Sequence, residues 1–149
     1  MRIVLDTNIL VRAVTGPAGP AAEVLRAINP FHLLIVSPFL LSELTRVLGY
    51  ERIRRMHGLN DTGIARYVSQ LQGLALVVVP SEDTLSATVP SDPQDDAILA
   101  TAFAGQADLL CTLDRHFYHP DVLASCTAHS LRIVTDIELL ADLRTRGST

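Results

Sequence analysis

The sequence predicts an α/β fold with a parallel sheet in one domain, and three observations carry that reading. Short apolar runs alternate with segments of helical period, the pattern of strands joined by crossover helices. A length of 149 residues, 48% apolar and 19% charged, suits one ordinary globular domain and excludes a disordered chain. With no Trp and 5% aromatics the core has to be aliphatic, and no repeat or low-complexity segment interrupts it.

RIVL (Arg2–Leu5) is a compact first strand. Thr15–Pro20 is a Gly/Pro loop, after which Ala21, Val24, Leu25 and Ile28 recur at i, i+3, i+4 and i+7 and predict an amphipathic helix over Ala21–Ile28. His32–Val36 is the second strand. Ser37-Pro38 opens a helix with Ser as N-cap and Pro at N1; it runs to about Leu48 and stops at Gly49. Tyr50–His57 and Asp61–Leu71 predict two further helices around Gly58-Leu59-Asn60, and Leu74–Val79 a third strand ended by Pro80. Asp92-Pro93 opens the next helix, through about Ala104, with Asp95 three residues after the Asp92 cap as in a capping box. Leu109–Thr112 and Arg132–Val134 are the fourth and fifth strands. Asp136 caps a last helix through about Leu143, so the domain covers 1–143 and residues 144–149 form a frayed tail.

Twelve basic residues against sixteen acids give a net charge of −4, and all twelve bases are arginine. The lack of lysine excludes P-loop NTPases and phosphoacceptor receiver domains, which need one. DTNILVRAV, after the first strand, has no glycine for a dinucleotide site, and Asn8 stands where a haloacid-dehalogenase-type phosphatase would want a second Asp. An acidic chain does not coat nucleic acid by charge alone, although a nuclease that holds metal with carboxylates fits the balance. Leu33–Leu41, the densest apolar stretch, is broken by Ser37 and Pro38 and falls far short of the ~20 residues of a membrane span. Asp6 interrupts any signal-peptide core, and Cys111 and Cys126 show neither metal spacing nor a disulfide framework. The expectation is a cytoplasmic protein with no membrane partner.

Four acids stand out. Asp6 follows RIVL and Asp114 follows LLCTL, each just past the carboxyl end of a strand, where open α/β sheets bind ligands. Each also reads as a helix cap. Glu43 lies beside the apolar stripe of Leu40, Leu41, Leu44, Val47 and Leu48, and Asp96 shares a helix face with Ala100 and Phe103. An acid at such a position is costly to ionise unless hydrogen bonds or a metal compensate. Asp92 and Asp95 have a simpler explanation as cap and capping partner. If Asp6, Glu43, Asp96 and Asp114 converge, a hard divalent cation would neutralise them, and metal-assisted phosphodiester hydrolysis is the chemistry that follows.

MRIVLDTNIL, SELTRVL, DPQDDAILATA and CTLD, in this order and spacing over residues 1 to about 135, resemble the four acidic motifs of PIN domains. The DPQDD form is most similar to the prokaryotic subgroup regarded as toxins of toxin–antitoxin pairs, related to VapC-type toxins. The resemblance implies an α/β/α sandwich with a five-stranded parallel sheet in order 3-2-1-4-5. It implies a ribonuclease that cuts single-stranded RNA with Mg²⁺ or Mn²⁺ held by Asp6, Glu43, Asp96 and Asp114. Asn8 would orient Asp6, Thr112 would hydrogen-bond in the same site, and Asp92 and Asp95 would stand around it. An antitoxin protein and a homodimer are the partners it implies. The other reading is an inactive PIN module that binds RNA or protein without cutting.

Arg46, Arg52, Arg54, Arg55 and Arg66 gather after Glu43. They read either as a rim that contacts RNA phosphates or as a solvated face paired with Glu51 and Asp61. Tyr50 and Tyr67 read as helix core rather than base-stacking groups, and His116 and His119 as a polar loop rather than metal ligands or acids. His57 and His129 have no partner the sequence identifies.

Overall fold

The computed structural model describes residues 1–28, 31–81 and 93–147, with the side chains of all of these but 93–96 and 147. Five strands form one all-parallel sheet in the order β3-β2-β1-β4-β5, the order the resemblance implied. The strands are β1 (Arg2–Leu5), β2 (Leu33–Val36), β3 (Leu76–Val77), β4 (Leu109–Cys111) and β5 (Arg132–Val134). Ile3 lies opposite Leu34 and Leu109, and Val4 opposite Ile35 and Leu110. Ile3, Val4 and Leu5 are all fully buried. Because successive strand residues point to opposite faces, both faces of the sheet are covered by helices, which is why the strands read as unbroken apolar runs.

The helices are α1 (Thr7–Thr15), α2 (Pro20–Ile28), α3 (Pro38–Leu48), α4 (Glu51–His57), α5 (Asp61–Leu74), α6 (Pro93–Ala104), α7 (Pro120–Ala128) and α8 (Asp136–Gly147). Ser37 caps α3 as expected, its hydroxyl accepting the Leu40 N–H. Several elements differ from the sequence expectation. Helix α1 follows β1 directly. Its interior Ile9, Leu10, Val11 and Ala13 are buried while Asn8, Arg12 and Thr15 lie on the opposite side, a helical period that the sequence reading passed over. The 3₁₀ turn Arg115–Tyr118 lies where a polar loop was expected, and α7 in a stretch to which the sequence reading assigned no element; α7 buries only Val122 and Cys126, so its stripe is faint. Strand β3 is two residues long rather than six. The cap of α8 is Thr135, not Asp136: Thr135 and Glu138 form a reciprocal capping box, with the Glu138 N–H on the Thr135 hydroxyl and the Thr135 N–H on the Glu138 carboxylate. Helix α8 continues to Gly147, so residues 144–147 are helical rather than a frayed tail, and Arg144 reaches the Glu23 carboxylate on α2 at 2.6 Å. Asp92, the expected cap of α6, lies outside the described residues.

Helices α6 and α7 end in the same device. The Ala107 N–H donates to the Ala102 carbonyl and the Gln106 N–H to that of Phe103, with Gln106 left-handed at φ 50°. At α7 the Leu131 N–H donates to Cys126, the Ser130 N–H to Thr127, and Ser130 is left-handed at φ 57°. These are Schellman turns, and each aims the chain into the next strand, β4 or β5. Glycine usually takes the left-handed position, yet Gly105 stands one residue before it. The reason is packing: a Cβ on Gly105 would lie 2.6 Å from Cγ2 and 2.9 Å from Cδ1 of buried Ile35 on β2. Gly105→Ala should therefore destabilise the protein by ~1–3 kcal/mol through overpacking, whereas Gln106→Gly should be neutral or stabilising by up to ~1 kcal/mol. Urea unfolding of both variants checks the pair; equal effects would contradict the packing account.

Candidate active site

The strand order reverses at β1, with β2 and β3 on one side and β4 and β5 on the other. The crevice beyond the carboxyl ends of β1 and β4 is where such a sheet binds ligands. Asp6 is the first residue past β1, and its N–H continues the sheet by donating to the Cys111 carbonyl at 2.9 Å. Capping and site geometry coincide in its side chain. Oδ1 accepts the Thr7 N–H at 2.7 Å, at the start of α1, while Oδ2 accepts the Thr112 hydroxyl at 2.7 Å and a longer contact of 3.4 Å from the Asn8 amide. The Thr112 hydroxyl is shared, since it also accepts the Asp114 N–H at 3.0 Å. Thr112 is fully buried, and its carbonyl is held by the Tyr118 hydroxyl at 2.9 Å. Thus Asn8 and Thr112 stand beside Asp6, and Asp114 is tied to the same threonine.

Burial raises the Asp6 pKa above the ordinary aspartate value; the Thr112 hydroxyl and the Thr7 N–H oppose the rise, and the charges of Asp114 and Glu43 add to it. Those last two causes place three of the four expected acids in one electrostatic neighbourhood. Glu43, on α3, is clamped by Arg46 one turn further on, with Nε 3.3 Å from Oε2 and a second guanidinium contact to Oε1. The Arg46 guanidinium also lies 5.4 Å over the Tyr50 ring and hydrogen-bonds its hydroxyl. The side chains of Asp95 and Asp96 lie outside the described residues, as does Asp92. Ile98, further along α6, does line the cleft.

The cleft has a volume of about 410 Å³. Helix α1 contributes Asn8, Val11, Arg12 and Thr15 at i, i+3, i+4 and i+7, α3 contributes Phe39, Glu43 and Val47, and α4 contributes Arg52, Ile53 and Met56. Asp6 and Asp114, past the ends of β1 and β4, line it as well. The arginine stretch therefore divides. Arg52 faces the cleft and Arg46 holds Glu43, but Arg54 pairs with Asp61 and Arg55 with Glu51 at 2.6 Å, as the solvated-face reading expected. Arg66 is exposed on α5. Three of the histidines have structural partners: His57 bridges the Leu48 carbonyl and the Leu59 N–H, His129 stacks on Phe103 with centroids 4.2 Å apart, and His119 caps α7, while His116 is exposed. The Tyr67 hydroxyl donates to the Leu10 carbonyl at 2.8 Å, in keeping with a packing role. Arg12, which lines the cleft, escaped the sequence reading, and Asp136, read there only as a helix cap, lies two residues past β5 and is only 2% exposed.

Among the described residues no three of His, Cys, Asp and Glu stand close enough to hold a metal ion by themselves. Two buried side-chain oxygens at the site, Thr7 Oγ1 and Asn8 Oδ1, nevertheless have no hydrogen-bond partner. With the Asp6, Glu43 and Asp114 carboxylates they form an all-oxygen donor set, which suits a hard divalent ion that keeps several waters.

A parallel α/β sheet with acids gathered at its switch point defines the class of protein. Residues 2–116 match the PIN domain family, and the chain belongs to it. No curated protein matches the chain. Two solved structures share the fold. VapBC2 from Rickettsia felis bound to a DNA fragment from their promoter superposes with a TM-score of 0.61 at 15% identity, covering 91% of this chain and 98% of that one. VapBC-1 from nontypeable Haemophilus influenzae gives 0.59 at 21% identity, covering 92% and 99%.

The shared threonine yields a stability prediction. Because the folded Asp6 pKa is raised, its ionisation disfavours folding, and the metal-free protein should lose stability as pH rises from about 3.9 through the raised folded value. Thr112→Val removes the hydroxyl that opposes that rise and leaves the Asp114 N–H unpaired, so it should cost ~1–3 kcal/mol near neutrality and less at pH 4. Thr112→Ser should restore most of the loss. Chemical unfolding in chelator at the two pH values checks this; a pH-independent loss would remove Asp6 from the account.

Proposed function

We propose that this protein is a divalent-metal-dependent endoribonuclease that hydrolyses phosphodiesters in single-stranded RNA and serves as the toxin of a toxin–antitoxin pair. The observation that carries the reading is the convergence of Asp6, Glu43 and Asp114 on one cleft at the switch point, with the unpartnered Thr7 and Asn8 oxygens beside them. Asp6, Glu43, Asp96 and Asp114 would hold Mg²⁺ or Mn²⁺. Such an ion supplies Lewis acidity toward a phosphate and a more acidic water. The chain's own residues prepare the site. The Thr112 hydroxyl and Thr7 N–H fix the Asp6 carboxylate, the Asn8 amide supports the same oxygen, and the Asp114 loop is held through Thr112 by Tyr118. Arg46 keeps Glu43 in place on α3 and neutralises it while no cation does. Asp92 and Asp95 would stand around that set, and Arg52 is the member of the arginine stretch that lines the cleft where a strand of RNA would pass.

The toxin role rests on family membership and on the shared fold with VapBC2 and VapBC-1; it brings with it an antitoxin protein as partner and a homodimer as the assembly. Cleavage of a labelled single-stranded RNA should require Mg²⁺ or Mn²⁺ and stop in chelator. Replacing any one of Asp6, Glu43, Asp96 or Asp114 by its amide should remove most of the activity, and double changes should add little because the four act as a unit. Cutting that survives chelation would sink the metal mechanism. RNA binding with no metal-dependent cutting would establish the other reading, a PIN module that binds without cleaving.

A further inference from the structure

We propose that Arg12 is a substrate-binding residue that grips a phosphate of the RNA strand next to the acids, and that buried Asp136 is the positioning residue that holds it there. The inference rests on the nuclease reading and extends its site along α1. Arg12 lies on the face of α1 that carries Asn8, one turn beyond it, so the two are separated by roughly 6 Å along the helix axis. That distance is comparable to one internucleotide step, which places Arg12 beside the neighbouring phosphate rather than the one at the acids. A second hollow of about 240 Å³ meets the main cleft at Arg12, Thr15 and Met56, so the groove continues past Arg12 instead of ending there. The walls between are apolar, from Val11, Val47 and Ile53, and suit a base. A polyanion entering a cleft that already contains Asp6, Glu43 and Asp114 needs cations on its walls. Arg46 is engaged by Glu43, which leaves Arg52 from α4 and Arg12 from α1, on different helices.

Asp136 explains why Arg12 stays in place. The Arg12 side chain is 53% exposed and that of Asp136 only 3%, with Nε 3.8 Å from Oδ2. Oδ1 takes the Ile137 N–H at 2.9 Å in the first turn of α8, but Oδ2 is buried without a hydrogen bond. A buried carboxylate oxygen left bare is costly, and the Arg12 charge is what compensates it. At 3.8 Å the pair attracts without closing a hydrogen bond. Among the described residues the guanidinium makes no hydrogen bond at all, so its terminal fork is available to a phosphate.

The test is fluorescence anisotropy of a labelled single-stranded RNA over a salt series, with Ca²⁺ as the divalent ion, on wild type, Arg12→Ala, Asp136→Asn and the double variant. Arg12→Ala should weaken binding about tenfold at low salt and reduce the slope of log affinity against log salt by ~0.7. In the Asp136→Asn background, where the Ile137 N–H keeps an acceptor, the loss caused by Arg12→Ala should shrink to a few-fold. Arg12→Lys should keep the slope but not the full affinity. Thermal melts confirm that each variant is folded; should Asp136→Asn fail to fold, Asp136→Glu takes its place in the cycle. Wild-type binding with an unchanged Arg12→Ala variant would overturn the role of Arg12 and leave the nuclease reading intact. An Arg12→Ala loss of equal size in both backgrounds would overturn the role of Asp136. A wild type that neither binds nor cuts the RNA would overturn the nuclease reading and this inference with it.

Discussion

The Asp6 carboxylate lies at the centre of the sheet edge, 7% exposed and between two like charges, and it is tolerable there because donors from two strand ends converge on it. The Thr7 N–H and the Asn8 amide come from the helix that follows β1, and the Thr112 hydroxyl from the residue after β4. Pairing of Leu5 with Cys111 is what sets Thr112 beside Asp6. A slip of one residue in that register would turn Thr112 to the opposite face and remove the hydroxyl from both Asp6 and the Asp114 N–H. The register of β4 is in turn set upstream, where the turn at Gly105–Ala107 aims Leu109, Leu110 and Cys111 into the core. A carboxylate at one edge of the sheet thus depends on how a helix ends at the other.

Charge in the cleft follows from the same layout. The chain carries a net charge of −4, and three of its acids share the cleft. The arginines that cluster in the sequence do not cluster in space around that cleft. Arg54 and Arg55 are spent on local carboxylates, and Arg46 on Glu43. Exposed pairs of this kind add little stability, but they do set which cations remain open to a ligand. Among the described residues the arginines that line the cleft, Arg12 and Arg52, come from separate helices rather than from one basic stretch.

The parallel sheet, most of its helices and the acids past β1 and β4 were legible because each is written locally: an apolar run, a capping pair such as Ser37-Pro38, an acid where a run ends. Helix α1 was passed over although its period was there to read, with Ile9, Leu10 and Ala13 on one side and Asn8, Arg12 and Thr15 on the other. Helix α7 was missed for a different reason, a stripe of two residues behind a histidine cap, although Pro120 at N1 was a signal that could have been used. Asp136 was taken for a cap because an acid before an apolar segment usually is one; the Thr135–Glu138 box was equally visible and fits the capping pattern better. Arg12 could not have been found without α1, because its relation to Asn8 exists only at helical spacing. What sequence hides here is tertiary: which arginine meets which acid, and which strand end faces which.

Polar satisfaction separates the two edges of the sheet. At the amino edge the Arg2 N–H donates to the Asp108 carboxylate at 2.7 Å, the Arg2 side chain to the Gly105 carbonyl at 2.8 Å, and both Schellman turns close their helix ends. Among the described residues the buried side-chain oxygens without a partner are Thr7 Oγ1, Asn8 Oδ1 and Asp136 Oδ2, and all three stand at the carboxyl edge, past β1 and past β5. Unmet polar groups cost stability wherever they occur, and a fold with no use for them would distribute them without regard to the sheet's polarity or replace them with apolar residues. All three thus stand at the edge where the acids gather, and one of them, Asp136 Oδ2, faces the Arg12 charge at 3.8 Å. Among the described residues the chain closes its hydrogen bonding at the amino edge of the sheet and leaves it open at the carboxyl edge.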